Sequence, residues 1–197
     1  MLTLSTRNQI IIGLVLVLFM IITRGHYFNS LQNLPSASWA VFFLAGAYLR
    51  STWPLLVFFV FAWLLDFAAY NWNGADGFCL TPAYITMLPA YGSLWLAGRW
   101  YANQHQFTWH TLMPLSISLM VGTIICRFFS SGGFYLFSGH FAEKTFVEFG
   151  ERYMKYFPHF IESLLFYVGI TIVVHAAFTL ANNSSISRKS KTGQQHG

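Results

Sequence analysis

The amino-acid sequence predicts an all-α integral membrane protein with six transmembrane helices. The chain has 197 residues, of which 55% are hydrophobic and only 9% are charged. A soluble domain carries about 25% charged residues, so a chain with this composition cannot cover its own surface in water. Six apolar segments approach the ~20 residues that a helix needs to cross a bilayer. They lack the two-residue alternation of a half-buried strand, and lipid tolerates only helices or closed barrels.

Charged and polar residues bound these segments in chain order. The first lies between Arg7 and Arg24, and the uncharged stretch from Gly25 extends the second one backward. The predicted helices are Asn8–Thr23, Ser38–Leu49 with that extension, Trp53–Tyr70, Pro82–Tyr101, Thr111–Phe129 and Pro158–Ala181.

Prolines support two of the helix starts. Thr81 followed by Pro82 places a capping residue and then a proline in the first turn, where the missing N–H costs nothing. Pro158 begins the sixth helix in the same way. Pro89 and Pro114 fall inside predicted helices, and we expect a kink at each of them.

The topology follows from the even number of helices. Residues 1–183 form one six-helix domain, and residues 184–197 form a polar, basic tail that we expect to be disordered. Both chain termini lie on one side, and the basic tail assigns that side to the cytoplasm. The inner side then carries six Lys and Arg residues and the outer side five. We therefore predict a multi-pass membrane protein with both termini in the cytoplasm.

Several classes of site are excluded. The chain has no GxxxxGK[ST] motif, so it carries no P-loop for a nucleotide. Its Lys and Arg residues form no patch that would bind nucleic acid. Cys79 and Cys126 are too far apart for a CxxC motif or a zinc site. No Ser-His-Asp set or pair of carboxylates indicates hydrolysis.

Cys79 is the residue best suited to chemistry. It lies in the polar stretch "NWNGADGFCLTPAY", just before the predicted start of the fourth helix. The positive end of a helix dipole would lower the pKa of the thiol and favour a thiolate, which is a soft metal ligand. No second Cys or His follows at the spacing of a metal site, so a bound metal must bring most of its own ligands, as in haem or a corrin. A plain loop residue, or half of a disulfide with Cys126, are the alternatives.

Three other residues are candidates on the predicted outer face. His26 is a second axial ligand, a hydrogen-bond donor to a ligand, or a water-facing histidine. Tyr84 points its hydroxyl toward whatever Cys79 holds, or belongs to the aromatic belt of the membrane surface. Arg152 offers its donors at a cavity rim, or only pairs with Glu148 on an exposed helical turn.

Charged residues within the spans are rare and usually face a cavity or one another. On this basis Asp66 and Arg127 are expected to form a structural ion pair with no catalytic role.

The residues around Cys79 resemble those of the BtuM family, small bacterial cobalamin transporters related to the S-components of energy-coupling-factor transporters. The resemblance lies in residues 24–50 and 71–101, which contain "TRGHYF", "LPSASWAVFFLAGAYLR" and "GADGFCLTPAYITMLPAYGSLWLAGRWYA". It implies an S-component-like bundle with an outward-facing cavity that binds cobalamin as substrate. Cys79 would then ligate the cobalt, and His26, Tyr84 and Arg152 would surround the ligand.

The resemblance implies uptake of cobalamin or a related corrinoid across the inner membrane. The corrin supplies four nitrogens to the cobalt and Cys79 supplies one axial sulfur, which can displace an upper ligand such as cyanide. A corrinoid and membrane lipid are the expected partners, together with a periplasmic or outer-membrane supply route. The first helix offers Gly13 alone where S-components carry small residues four apart, which argues against docking on an energising ATPase module. A membrane thiol oxidoreductase using Cys79 and Cys126, and a haem-binding membrane subunit, are the alternative functions.

Overall fold

Six α-helices make up most of the described chain. The computed structural model describes residues 6–24, 37–49, 51–73, 77–104, 112–139 and 145–193, with side chains up to residue 170 except those of residues 73 and 78. The helices are α1 (Thr6–Arg24), α2 (Ser38–Tyr48), α3 (Pro54–Asn73), α4 (Met87–Gln104), α5 (Leu112–Phe137) and α6 (Phe146–Gly193). Two 3-10 helices, here the Cys79 turn (Gly77–Leu80) and the Tyr84 turn (Pro82–Thr86), connect α3 to α4. Within these residues, the prediction of an all-α protein with six helices is confirmed.

Three of the helices are long and apolar enough to cross a membrane, namely Thr6–Arg24, the Pro54–Trp72 part of α3, and Leu112–Phe137. Their outward surfaces carry many exposed apolar side chains, such as Leu14 at 64%, Val60 at 54% and Met120 at 54% exposure. Such surfaces match a hydrocarbon environment. These observations support a membrane protein.

The short helix α2 lies at the centre of the bundle. Nine of its eleven residues are buried, and it packs against α1, α3, α4 and α6. Eleven residues rise only about 16 Å, roughly half the hydrocarbon thickness, so α2 alone does not span the bilayer. Of the predicted backward extension, only Ala37 is described, and it is the residue that precedes the helix. The other residues of that extension lie outside the described residues.

Glycines let α2 and α4 approach closely. A Cβ atom on Gly46 would meet the backbone carbonyl of Trp95, and one on Gly98 would meet the carbonyl of Phe43. Small residues allow such backbone contact between membrane helices. The contact buries one face of α4, and Tyr91 stacks on Phe42 with ring centroids 4.0 Å apart.

The prolines act differently from the prediction. Pro89 and Pro114 are each the third residue of their helix, α4 and α5, whereas Pro158 lies inside α6. Pro89 and Pro114 therefore lie in the first turns of their helices and not in the interiors where we placed them, and a proline in the first turn removes no intrahelical hydrogen bond. The fourth predicted helix also does not start at Pro82 as an α-helix, because Pro82 begins the Tyr84 turn.

The last two helices are longer than predicted. α5 ends at Phe137 instead of Phe129, and α6 begins at Phe146 instead of Pro158. The first turns of α6 carry Glu148 and Arg152, which lower the hydropathy but pair with each other at i,i+4 and support a helix. α6 continues to Gly193 through residues that we predicted as a disordered tail. No proline or glycine interrupts the chain between Ile170 and Gly193.

The helices alternate in direction, so the bundle has two ends. α1 ends, α2 begins and α3 ends at one of them, called here the Cys79 end. At the opposite end Arg99 of α4 donates to the carbonyl of Leu49, 2.8 Å away, just beyond the last residue of α2. This hydrogen bond satisfies a carbonyl that has no partner within its own helix.

Candidate functional site

An ion pair between α1 and α3 organises the Cys79 end. Arg24 is the last residue of α1, and its Nε and Nη2 atoms lie 2.6 Å from Oδ1 and Oδ2 of Asp66. The two side chains are only 13% and 26% exposed. A bidentate guanidinium–carboxylate pair is among the stronger polar contacts in proteins, and it fixes both orientation and distance.

Three hydroxyl groups complete this arrangement, here called the Arg24 cluster (Arg24, Ser38, Asp66, Tyr84 and Tyr91). Nη1 of Arg24 donates to the hydroxyl oxygens of Ser38 and Tyr91, each 2.8 Å away. The Tyr84 hydroxyl donates to Oδ2 of Asp66 at 3.0 Å. One guanidinium and one carboxylate therefore join α1, α2, α3, the Tyr84 turn and α4.

Cys79 lies beside this cluster. Its carbonyl oxygen accepts a hydrogen bond from Nε1 of Trp63 at 3.1 Å, and Trp63 is one turn before Asp66 on α3. The Cys79 turn packs against α3 and the Tyr84 turn. The side chain of Cys79 is buried, with only 6% exposed.

The protonation of Cys79 differs from the prediction. Burial, and then the negative charge of Asp66, raise the pKa of the Cys79 thiol above its ordinary value. The predicted lowering by a helix N-terminus is wrong for two reasons. Cys79 lies within a 3-10 helix of its own, and the element that follows Thr81 is a five-residue 3-10 helix in which few peptide dipoles add up. The resting residue is thus a thiol.

The two cysteines do not form a disulfide. Both are free. Cys126 is completely buried in α5, within the core cluster that also contains Tyr91 and Leu94. The disulfide that the sequence left open is absent.

Tyr84 is buried at 4% exposure, which rules out the alternative of a membrane-surface aromatic. Its hydroxyl is bound to Asp66 in the Arg24 cluster, and the Tyr84 turn packs against the Cys79 turn. The structure therefore brings Cys79 and Tyr84 to the same end of the bundle.

Arg152 lies apart from that pair. Nε of Arg152 lies 3.1 Å from Oε1 of Glu148, and both side chains are exposed. This is the i,i+4 pair that the sequence predicts. α6 packs on α5 and α2, whereas the Cys79 turn packs on α3 and the Tyr84 turn. His26 lies outside the described residues.

The expected ion pair between Asp66 and Arg127 is wrong, because Asp66 pairs with Arg24. Sequence reasoning missed Arg24 because a cation just after an apolar segment is usually a topology signal. The sequence nevertheless contained a signal for the pair of Arg24 with Asp66. Asp66 needed a partner within the membrane region, and a cation at the end of a neighbouring helix can reach the same depth.

The described residues include a cavity, but it lies away from the Cys79 turn. In the described part of the chain, no group of three His, Cys, Asp or Glu residues could hold a metal ion. One cavity of about 600 Å³ opens between α4 and α5, lined by residues such as Gly92, Ala97 and Gly122. This groove contains neither Cys79 nor Tyr84, so it does not correspond to the predicted outward-facing cavity.

Comparison of the chain with protein-family models and with curated proteins finds no match.

Proposed function

We propose that the protein binds cobalamin or a related corrinoid at the Cys79 end and carries it across the bacterial inner membrane. The Cys79 thiolate is the axial cobalt ligand in this proposal. The observation that carries it is a free thiol in a short turn between α3 and α4, held through its own carbonyl by Trp63. The identity of the proposed ligand comes from the resemblance of residues 24–50 and 71–101 to cobalamin transporters.

The chemistry requires only one ligand from the protein. A corrin already occupies four positions of the cobalt, so a lone soft sulfur is sufficient for specific recognition. Metal binding releases the proton of a ligating thiol. With cyanocobalamin, the thiol loses its proton, a cobalt–sulfur bond forms, the cobalt–cyanide bond breaks, and cyanide leaves with the proton as HCN. Cobalt keeps its oxidation state in this exchange.

The neighbours of Cys79 have roles in this proposal. Trp63 holds the backbone of the Cys79 turn against α3, and Tyr84 holds the next turn through Asp66. Because Cys79 is 6% exposed, an incoming corrin must displace the groups that cover the sulfur. The chain carries no P-loop, so in this proposal it does not drive transport through a Walker-type nucleotide site of its own.

The test is a titration of the purified protein with cyanocobalamin, followed by visible absorption. We expect a stoichiometric complex whose corrin spectrum changes on binding, and loss of this change in Cys79→Ala. The matched control is Cys126→Ser, which removes the other cysteine and should bind like the wild-type protein. An unchanged corrin spectrum on a stoichiometric complex would rule out sulfur ligation.

The same experiment separates the alternative functions. Equal dependence on both cysteines would favour a thiol oxidoreductase, and a co-purifying pigment with a haem spectrum would favour a haem-binding subunit. Transport itself is tested by growth of a corrinoid-dependent bacterial strain without an importer of its own. Growth should be restored by the wild-type protein and by Cys126→Ser, and not by Cys79→Ala.

A further inference from the structure

Arg127 of α5 is a cation that has no carboxylate partner among the described residues. Its Nε atom is buried and has no hydrogen-bond partner among the described residues. Three carboxylates of the described chain contact other side chains, namely Asp66 with Arg24, Glu148 with Arg152 and Glu162 with His159. The ring of Phe160 lies 5.6 Å from the guanidinium carbon of Arg127. An aromatic face attracts a cation, but it gives the N–H donors no acceptor in their own plane.

The depth of Arg127 makes this lack of an acceptor informative. α5 is a helix of 26 residues that is long and apolar enough to cross a membrane, and Arg127 lies ten residues before its end at Phe137. Ten residues correspond to about 15 Å along a helix axis. Charged side chains within a span usually pair with one another or face a cavity or a substrate path.

An aromatic layer connects Arg127 to the Arg24 cluster. Phe160 contacts Trp39 with ring centroids 4.6 Å apart, and Trp39 contacts Tyr91 at 5.2 Å. Tyr91 in turn accepts a hydrogen bond from Arg24. A cation therefore lies at each side of this layer of Trp39, Tyr91 and Phe160. In the part of the chain that the structure describes, Arg24 has a carboxylate partner and Arg127 does not.

The layer marks the depth at which α2 begins, because Trp39 is the second residue of that helix. α5 continues beyond Arg127 to Phe137, and α6 begins at Phe146, well before Phe160. Both helices thus extend from this layer toward the Cys79 end. A ligand held by Cys79 would lie on this side of the layer.

We propose that Arg127 binds a phosphate group at this aromatic layer. A guanidinium presents a planar fork of donors that matches two phosphate oxygens, and a desolvated site strengthens the contact. Two sources carry this chemistry, namely the phosphodiester of cobalamin and the headgroup of a membrane phospholipid. The first source rests on the proposed function, whereas the phosphate contact of Arg127 does not.

The first arm of the test compares cobalamin with cobinamide, which keeps the corrin and cobalt but lacks the phosphodiester and nucleotide. Arg127→Gln should weaken cobalamin binding by about tenfold or more and leave cobinamide binding unchanged. Arg127→Lys keeps the charge without the planar fork of donors. Its affinity for cobalamin should fall between those of the wild-type protein and Arg127→Gln. Lys155→Gln is the matched control, because it removes an exposed cation from neighbouring α6 and should change neither affinity.

The second arm measures phospholipid that co-purifies with the protein, by mass spectrometry in the absence of corrinoid. Loss of a bound phospholipid in Arg127→Gln, with an unchanged ratio of cobalamin to cobinamide affinity, would assign the phosphate to lipid. If neither the ratio nor the bound lipid changes, the inference is overturned.

The arms also separate this inference from the proposed function. Wild-type protein that binds neither corrinoid would refute the proposed function, and the lipid arm would still decide the role of Arg127. If Arg127→Gln does not give a folded protein, Arg127→Lys carries the same comparison. If Arg127→Lys leaves both the ratio of cobalamin to cobinamide affinity and the amount of bound phospholipid unchanged, the inference is overturned as well.

Discussion

Arg24 and Asp66 form a bidentate ion pair between the last residue of α1 and the middle of α3, with both N–O distances at 2.6 Å. The pair is mostly shielded from solvent, and the Tyr84 hydroxyl binds the same carboxylate. Taking two charges out of water is costly, and the mutual contact offsets that cost only when the geometry is good. The pair therefore fixes how the helices meet at the Cys79 end.

Removing one partner of this pair should destabilise the protein. We expect Asp66→Asn or Arg24→Gln to cost about 2–4 kcal/mol, because each leaves a partly buried charge without its partner. The double variant should recover part of the loss. The measurement is thermal unfolding in detergent.

The control for this prediction is the exposed pair between Arg152 and Glu148. Arg152→Gln should cost less than about 0.5 kcal/mol, as exposed i,i+4 pairs do. Equal melting temperatures for Arg24→Gln and Arg152→Gln would contradict a structural role for the buried pair.

The close contact between α2 and α4 should not tolerate a side chain. Gly98→Ala places a methyl group on the carbonyl of Phe43, and we expect a loss of about 1–3 kcal/mol or more from overpacking. Gly92→Ala on the same helix is the matched control, because a Cβ there meets nothing within 4 Å. Similar melting temperatures for these two variants would show that the helices are further apart than described.

The thiol of Cys79 should titrate above the range of an ordinary cysteine. Burial and the Asp66 carboxylate raise its pKa, so the rate of alkylation by iodoacetamide should reach half its maximum above about pH 8.5. Asp66→Asn removes this negative charge. The thiolate is then more stable, so the midpoint of the alkylation rate should shift to lower pH. The assay uses a Cys126→Ser background so that one thiol reacts. A midpoint well below pH 8 would support the original expectation of a helix-activated thiolate.

The Tyr84 hydroxyl should matter through Asp66. Tyr84→Phe leaves the ring in place and removes the donor to Oδ2 of Asp66, so we expect a loss of about 1–2 kcal/mol in stability. Tyr135→Phe, whose hydroxyl contacts Thr145 and Glu148 away from the Arg24 cluster, is the comparison. If Tyr84→Phe melts like the wild-type protein, the hydroxyl does not hold the Tyr84 turn to α3.

Sequence patterns predict the bounds of some helices better than those of others. α1 and α3 begin and end within three residues of their predicted bounds, because their apolar runs stop at charged or polar residues. α6 begins twelve residues before its predicted start. The first turns of this helix carry charged residues, and low hydropathy made the prediction treat them as a loop. α2 was predicted at its apolar residues, but its central position depends on glycines that contact another helix.

The sequence by itself determined that this chain is helical, that it has six helices, and that Cys79 lies in a turn between the third and fourth. Apolar runs, prolines and charges are local properties, so they can be read along the chain. Only the tertiary structure decided that Asp66 pairs with Arg24, 42 residues away, that Cys79 is covered, and that Arg127 has no carboxylate partner within the residues the structure describes. These properties depend on which side chains the packing of α2 and α4 brings together, and local patterns do not contain that information.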